Sequence, residues 1–462
     1  MEGRPIMVPR YELRKEQLLA DCQVPPATFR GAIRRLEAFA GPFISSMSSP
    51  DTQEYSRVYL AGLLSDLPRK NAEAIAYRND LDRQRIQEFI GYSDWDREPM
   101  QAELARQVGQ EIGRPDGVIV FDPSAFPKKG TASVGVQRQW CGRLGKVENC
   151  QVGLYMGYVS ELEHALVDFR LYLPKEWAKN KTRRKRCGVP EALRYQTRHE
   201  LALEMLEQRG AVLPHGWVSG DDEMGRPAWF RRALNDRKER YLLAVPSNTS
   251  LRDLEAEPPS FGGRGRRPKA PFQPVRAWCE ALPAKAWSRL TVRDGEKGPL
   301  EVEIVKRRVE SKVERRAVGF EELLVVVRYV DGGKMKYDYY LSNAVVATPL
   351  EELARVAKAE HRIEECLKRS KSEAGLGQYQ VRNWEGWQNH QTLSLIATWF
   401  LLLEARRGKK EGGGINGSPG ASGLGADLPQ GMSVRYRGTQ CTGTNTLAGA
   451  ERVGAAVPLQ IM

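Results

Sequence analysis

The feature that most limits how this chain can fold is a change of hydrophobic period at Gly117. Before it, stretches such as YLAGLLSDLPRKNAEAIAYRNDLDRQRIQEFIGY carry apolar residues at helical spacing with charged faces between. Residues 1–110 therefore read as a helical N-terminal region. Directly after Gly117, VIVFD (118–122) is a short β-branched and aromatic run, the signature of a buried strand. NCQVGLYMGYVS (149–160) and HALVDFRLYLP (164–174) continue the strand pattern. A periodic helix then spans PEALRYQTRHELALEMLEQRG (190–210), followed by a strand at HGWVSGD, a helix at PAWFRRALNDRK and a strand at RYLLAVPS (240–247). Three strands followed by alternating helix and strand predict a mixed α/β sheet over 111–249.

The texture changes again near residue 250. PPSFGGRGRRPKAPFQP (258–274) is a Pro/Gly/Arg-rich loop. LEVEIVKRRVE, EELLVVVRYV and KMKYDYYLSN then read as a small antiparallel sheet, which makes 250–345 a β-rich segment. Helical spacing resumes at about Pro349 and runs to Arg407, so 346–407 is a second helical part. From 408 to 462 the chain is rich in Gly, Ser and Ala with little apolar periodicity, and a tail that cannot offset its ordering entropy is expected there. No internal repeat is evident.

With 462 residues, of which 41% are hydrophobic, the chain is long enough for two or three domains with a sizeable core. Seven scattered cysteines with no C-x-x-C pair predict reduced thiols and argue against a disulfide framework. Five histidines, none at ligand spacing from a cysteine, argue against structural zinc. No apolar run reaches membrane-spanning length and no signal-peptide core opens the chain, so a cytoplasmic, nucleoid-associated protein with no membrane partner is expected. The net charge of +13 points to a polyanionic partner, although charge alone does not exclude a merely soluble basic protein.

Two acids stand at the ends of predicted strands. Asp122 closes VIVFD and Asp221 follows the strand in WVSGDDEMG. If those strands are neighbours, both carboxylates meet at one edge of the sheet. Carboxylates that share divalent ions suit phosphodiester chemistry, because the cations activate the attacking oxygen, stabilise the leaving oxygen and screen the phosphate from the acids. A strand-end turn former is the commoner fate of any single aspartate. A third acid, Glu364, lies in HRIEECLKRSK with Lys371 two turns later on the same side of a helix. At about 100° per residue, Ile363, Leu367, Ser370 and Ala374 form the stripe that must face the sheet. Glu364 and Lys371 then share one flank, Glu365 points outward with Lys368 and Arg369, and Glu373 falls on the opposite flank. A surface Glu–Lys pair is the blander account of these residues.

The stretches FDPSAFPKKGTASVGVQRQWCGRLGKVENCQVG, WVSGDDEMGR, YLLAVPSNTSLRDL and HRIEECLKRSKSEAGLGQYQVRNW, in that order, resemble insertion-sequence transposases of the DDE superfamily. Among these the likeness is to the family numbered seven-hundred-and-one, related to the insertion-sequence-four group, and it runs from about residue 55 to 406. The resemblance implies a ribonuclease-H-like mixed-sheet catalytic core interrupted by a β-rich insertion, while the helical N-terminal region reads from its own residues as a DNA-contacting or dimerising module or, equally, as a structural helical cap. It also implies that Asp122, Asp221 and Glu364 are the catalytic, metal-holding acids and that Lys371 touches DNA phosphate. The acids are 99 and then 143 residues apart, and the longer gap accommodates the insertion. The related group carries a tyrosine and an arginine seven and four residues before the glutamate, where this chain has Ala357 and Glu360. Arg362 is the residue left to supply that phosphate contact.

Cleavage at element ends and strand transfer into target DNA is the activity this implies, served by two Mg2+ ions for which Mn2+ substitutes. The partner is double-stranded DNA, held by a homodimer. Basic runs at 179–186, 263–269 and 306–308 fit such a partner, because Lys and Arg neutralise phosphates and release counterions. Lys128, Lys129, Arg183, Arg184, Lys185 and Arg186 are the candidate contacts, with Trp287 as a stacking platform for a flipped base. Trp278 is the alternative platform, and core packing is the better account of at least one of the two. Trp387 and His390 read as packing residues. The rivals are an inactive transposase-derived DNA-binding protein and a ribonuclease-H-like nuclease without strand transfer. A two-carboxylate glycosidase fits the acids but not the positive charge.

Overall fold

A computed structural model of the chain describes residues 31–411, apart from positions 264, 266, 296–297 and 314–318. The tail expected from 408 therefore lies, from 412 onward, outside the described residues, and so does the start of the N-terminal region. Five helices open the described chain: α1 (Ala32–Ile44), α2 (Pro50–Leu63), α3 (Ala72–Arg78), α4 (Arg83–Gly91) and α5 (Glu98–Ile112). Strands β1 (Val118–Pro127), β2 (Gln137–Cys141), β3 (Lys146–Val159) and β4 (His164–Tyr172) follow. Next come α6 (Lys175–Lys179), α7 (Lys181–Arg186), α8 (Arg198–Arg209), β5 (Trp217–Gly220), α9 (Asp222–Gly225), α10 (Ala228–Asp236) and β6 (Tyr241–Ala244). The β-rich segment holds β7 (Ser250–Asp253), β8 (Gln273–Pro274), α11 (Val275–Glu280), β9 (Ser288–Gly295), β10 (Gly298–Ser311), β11 (Phe320–Asp331) and β12 (Lys334–Ser342). Three helices close it: α12 (Leu350–Ala357), α13 (Ala359–Glu373) and α14 (Trp384–Glu411).

All described strands join one mixed sheet of order β2-β3-β1-β5-β6-β12-β11-β10-β7-β8, with β4 on β3 and β9 on β10. β3 runs antiparallel to β1, whereas β5 and β6 run parallel to it. The strands after residue 250 do not form a detached small sheet. β12 pairs antiparallel with β6, Leu341 opposite Leu243, and extends the same sheet. Pairing there covers an edge of β6 that would otherwise expose unpaired backbone groups.

Strand alternation sorts side chains between two helical layers. On β3 and β4, Tyr155 bonds Gln391 of α14 at 2.6 Å and the Phe169 ring meets the Trp387 ring edge-on at 5.4 Å. One residue away, Asp168 points to the opposite face and takes Arg209 of α8. α8 begins later than its periodicity alone predicts because Thr197 and Glu200 close a capping box, which fixes the first turn. The expected 349–407 helix is broken twice, at Lys358 and after Glu373, where Gly375 takes φ 66° and turns the chain. α14 then runs past the boundary expected at 408.

α13 approaches the sheet unusually closely. A Cβ on Gly157 of β3 would stand 2.4 Å from Ile363 Cδ1, so only glycine admits the helix at this depth. Ile363, Leu367, Ser370 and Ala374 are all buried, which is the stripe read from the sequence. The described cysteines, five in number, are buried free thiols. Among the described residues no helix is long and apolar enough to cross a membrane.

Candidate active site

Backbone register brings the first two acids together. β1 and β5 are neighbours, parallel, with Phe121 opposite Gly220, so Asp122 and Asp221 are the next residues along each. Adjacent strands lie about 4.8 Å apart. Asp122 is not the last residue of its strand, as the sequence suggested, since β1 continues to Pro127 against β3. The reason is that β5 stops at Gly220, so β1 is an edge from Asp122 onward, where Pro123 and Pro127 are tolerated. The same gap leaves the β1 edge beside both acids without a strand partner, and this side is called the cleft below.

Asp221 leaves β5 as the N-cap of α9 and accepts the Met224 backbone N–H at 2.9 Å. The turn-forming account of this aspartate is thus correct, and it holds the carboxylate in place rather than excluding chemistry. Gly225, at the end of the turn, has no room for a Cβ, which would meet the Ala244 carbonyl at 1.9 Å. Asp122 shares its face of β1 with Ser124 and Phe126. Lys371 of α13 reaches that face, donating from Nζ to Ser124 Oγ at 2.6 Å with its charge 5.0 Å from the Phe126 ring centroid. Glu364, 58% exposed, stands at the cleft rim, 3.4 Å from His361 Nδ1.

Burial and like charge outweigh the relief at both aspartates. Burial pushes the Asp122 carboxyl well above the usual range, and the charges of Asp221 and Glu364 add to this while Lys371 opposes it. Burial likewise pushes Asp221 up to about 7, against the pull of its Met224 hydrogen bond. Among the described residues no three acidic, histidine or cysteine side chains converge at metal-ligand spacing. The acids share a field without being drawn to coordination distance. Their donor chemistry, carboxylate oxygens alone, nevertheless suits a hard divalent cation, whose charge would offset the repulsion.

Several sequence candidates lie elsewhere or are already engaged. Trp287 is not an exposed platform: it is 9% exposed, packed with Trp278 in the apolar cluster behind β10–β12, and Arg328 covers its ring at 4.1 Å. Its surroundings are apolar side chains from α11 and three strands, which is why an aromatic there is core. Lys128 lies over the Tyr379 ring at 3.6 Å, and burial lowers its amine to about 8. Arg183 rests on Trp177 at 3.9 Å and donates to the Thr131 carbonyl, while Arg184 donates to the Pro190 and Leu193 carbonyls. Lys129, Lys185 and Arg186 are exposed. Arg362 donates to the Ser160 carbonyl at 3.1 Å, tying α13 to the end of β3. The 306–308 run is used internally, by the Val346 and Thr348 carbonyls, Glu255 and Glu321. Positions 264 and 266 of the 263–269 run lie outside the described residues. His390 is fully buried between Tyr59 and Gly375, and burial takes its imidazole down to about 4, so it is a neutral packing residue. Ser124 was missed by sequence reasoning, although its i+2 position from Asp122 on a strand was a signal. Glu360 was noticed only as a departure from a pattern.

Two acids thus sit side by side on adjoining parallel strands, and a helix that carries a third acid and a lysine packs over β1 beside them. A family model described as "DDE superfamily endonuclease" matches residues 42–299, more than half of the chain, and the chain belongs to that family. It is 29% identical over 208 residues to the "Probable transposase for insertion sequence element IS701" of Microchaete diplosiphon, a match covering 43% of this chain. The chain thus spans about half the length, 51%, of the curated relative it matches. A distant likeness, with TM-score 0.40 and 10% identity over 87% of this chain and 77% of the other, is to a cryo-EM structure of a piggyBac transposase synaptic complex with hairpin DNA.

Proposed function

We propose that this chain is a DNA transposase that cleaves phosphodiester bonds at the ends of a mobile element and joins the freed 3′ ends to target DNA. The observation that carries the reading is the β1–β5 register that sets Asp122 beside Asp221, with Glu364 and Lys371 borne across them on α13. The order β4-β3-β1-β5-β6 is read as a ribonuclease-H-like core, β7–β12 as its insertion, and α1–α5 as the N-terminal DNA-binding or dimerising region.

Asp122, Asp221 and Glu364 hold the divalent cations, Mg2+ or Mn2+, in this reading. When bound, the cations neutralise charge at the scissile phosphate and ease deprotonation of the attacking hydroxyl. Asp221 is kept in place by its N-cap bond, and Asp122 by the β1–β3 ladder. Lys371 exchanges Ser124 for a phosphate oxygen. Exposed Lys129, Lys185 and Arg186 hold the duplex without reading its sequence. The active form is a homodimer, each copy cutting one end.

Purified chain incubated with end-containing duplex and Mg2+ tests this. Asp122→Ala and Asp221→Ala are expected to abolish cleavage and strand transfer while end binding in a gel-shift assay remains within about threefold. A variant of either acid that cuts at the wild-type rate overturns the assignment.

A further inference from the structure

Trp140 is the most exposed of the described tryptophans, at 57%, and no aromatic ring or cation among the described residues lies on it. It stands on β2 directly opposite Val147 of β3, itself exposed, near the tip of the β2–β3 hairpin. Strand register shows which side of the sheet this pair occupies. Directly opposed residues of antiparallel strands share a face, and along one strand every second residue does. Asp122 is opposite Tyr155, so Gln151, Asn149 and Val147 lie on the face of Asp122. Trp140, opposite Val147, and Arg138, opposite Asn149, join them. Contacts agree with the register. Gln151 accepts the Tyr379 hydroxyl at 2.9 Å, and Tyr379 meets the Phe126 ring on the Asp122 face. Cys141 and Cys150 instead cluster with Ala125 and Val152 on the other side. Trp140 therefore shares the catalytic face, eight residues along β3 and about 26 Å from Asp122.

Charge on this face of the hairpin has one sign. Arg138 is exposed, and among the described residues no acid pairs with it. Asn149 donates to the Lys128 carbonyl at 2.6 Å and the Gly130 carbonyl at 2.9 Å, which brings exposed Lys129 alongside. Glu148, the acid of the hairpin, points to the other face and pairs with Lys146 at 3.2 Å. Bare apolar surface flanked by bases matches a polyanion whose sugars and groove walls offer apolar surface between phosphates. The competing account is that Trp140 and Val147 only brace the hairpin as a cross-strand pair.

We propose that the β2–β3 hairpin is a docking surface for duplex DNA, with the Trp140 indole as its apolar contact and Arg138 and Lys129 as its phosphate contacts. This rests on the DNA reading given under Proposed function. For a duplex lying along the hairpin, at 3.4 Å per base pair, the contact falls about seven or eight base pairs from the bond that faces Asp122. The hairpin thus grips flanking duplex and does not touch the reacting nucleotides.

The test uses the full chain and a fluorescein-labelled duplex of mixed sequence, with binding followed by anisotropy over a salt series. Trp140→Val keeps a strand-forming residue opposite Val147, whereas Trp140→Phe keeps a flat ring. Trp140→Val is expected to weaken binding roughly tenfold with the salt slope unchanged, because an indole neutralises no phosphate. Trp140→Phe is expected to retain most of the affinity. Arg138→Gln is expected to weaken binding and to reduce the slope by about one. Melting midpoints should match the wild type in all three, since both positions are exposed. Wild-type affinity in Trp140→Val overturns the proposal, as does a loss of binding accompanied by a lowered midpoint, the mark of a hairpin brace. Sedimentation without DNA covers the other occupant: a smaller assembly in Trp140→Val means that the hairpin seats a second copy, and the proposal falls. If the wild type fails to bind the duplex, the DNA reading itself falls and this proposal with it. Binding that Lys185→Gln weakens and Trp140→Val does not sinks the hairpin surface alone.

Discussion

Two places along this sheet bury charge, and they do so in opposite ways. Behind β6 and β11, Arg231 and Glu322 are 2% and 3% exposed and form a fork-to-fork pair at 2.9 and 3.1 Å. Tyr241 and Ser311 hydroxyls donate to the same carboxylate, and Arg231 also holds the Gly225 carbonyl. Every charge there meets an opposite charge or a dipole. Around Asp122 and Asp221 the neighbouring acids add like charge, and the relief comes from the Met224 N–H, Arg198 and the charge of Lys371. The first arrangement is complete without anything else, whereas in the second burial and like charge outweigh the positive charges nearby. They are also joined: Arg231 anchors the end of the α9 turn whose first residue is capped by Asp221. A satisfied network braces an unsatisfied one.

The largest effect is expected from breaking the satisfied side. Arg231→Leu leaves Glu322 buried without its partner and should lower stability by about 3–5 kcal/mol, measured by urea denaturation. Arg231→Leu with Glu322→Leu should recover much of that loss. If the single change costs under 1 kcal/mol, the network is not the brace described here.

An intermediate effect follows from the close approach of α13. Gly157→Ala places a methyl against Ile363 and should cost about 1–3 kcal/mol. It should also slow cleavage far more than it weakens DNA binding, because it lifts the helix that bears Glu364. Pairing it with Ile363→Ala should restore part of both, and no recovery would mean that the helix is not held at this contact.

The smallest and most specific effect concerns pH. The carboxyl of Asp221 titrates near 7 in the folded chain against an ordinary value of 3.8, so the folded state keeps its proton longer than the unfolded state. Stability from this group is therefore greatest at low pH and declines as pH rises from about 4 to about 7, at no more than about 1.4 kcal/mol per unit. Asp221→Asn keeps the cap but removes the charge. Without metal, the difference in stability between variant and wild type should grow across that window and then level off. A constant difference from pH 4 to 8 would show that Asp221 is not strained by its neighbours.

Legibility in the sequence followed local rules. The strands of the mixed sheet and the buried stripe Ile363, Leu367, Ser370 and Ala374 are products of period and side-chain type, and each was readable in advance, whereas the capping box at Thr197, a local signal too, was passed over. The pair Asp122 and Asp221 was visible as two acids after two strands, conditional on those strands being neighbours. For Trp278 and Trp287 the sequence left core packing and a stacking platform both open, because an indole in a basic segment looks the same in sequence whether it is covered or bare. Only the packing of α11 against β10–β12 covers Trp287.

The sequence by itself determined which segments are helices and strands, which faces they bury, and which residues carry negative charge into the interior. Tertiary structure decided what those charges meet. Register between β1 and β5, the end of β5 at Gly220 and the depth of α13 over Gly157 are relations among residues up to about 240 positions apart, from Asp122 to Glu364. Helical and strand periods reach only to the nearest turns along one element. Whether Glu322 finds Arg231, or Lys371 finds Ser124, is set by strands and helices that meet only when the chain has folded.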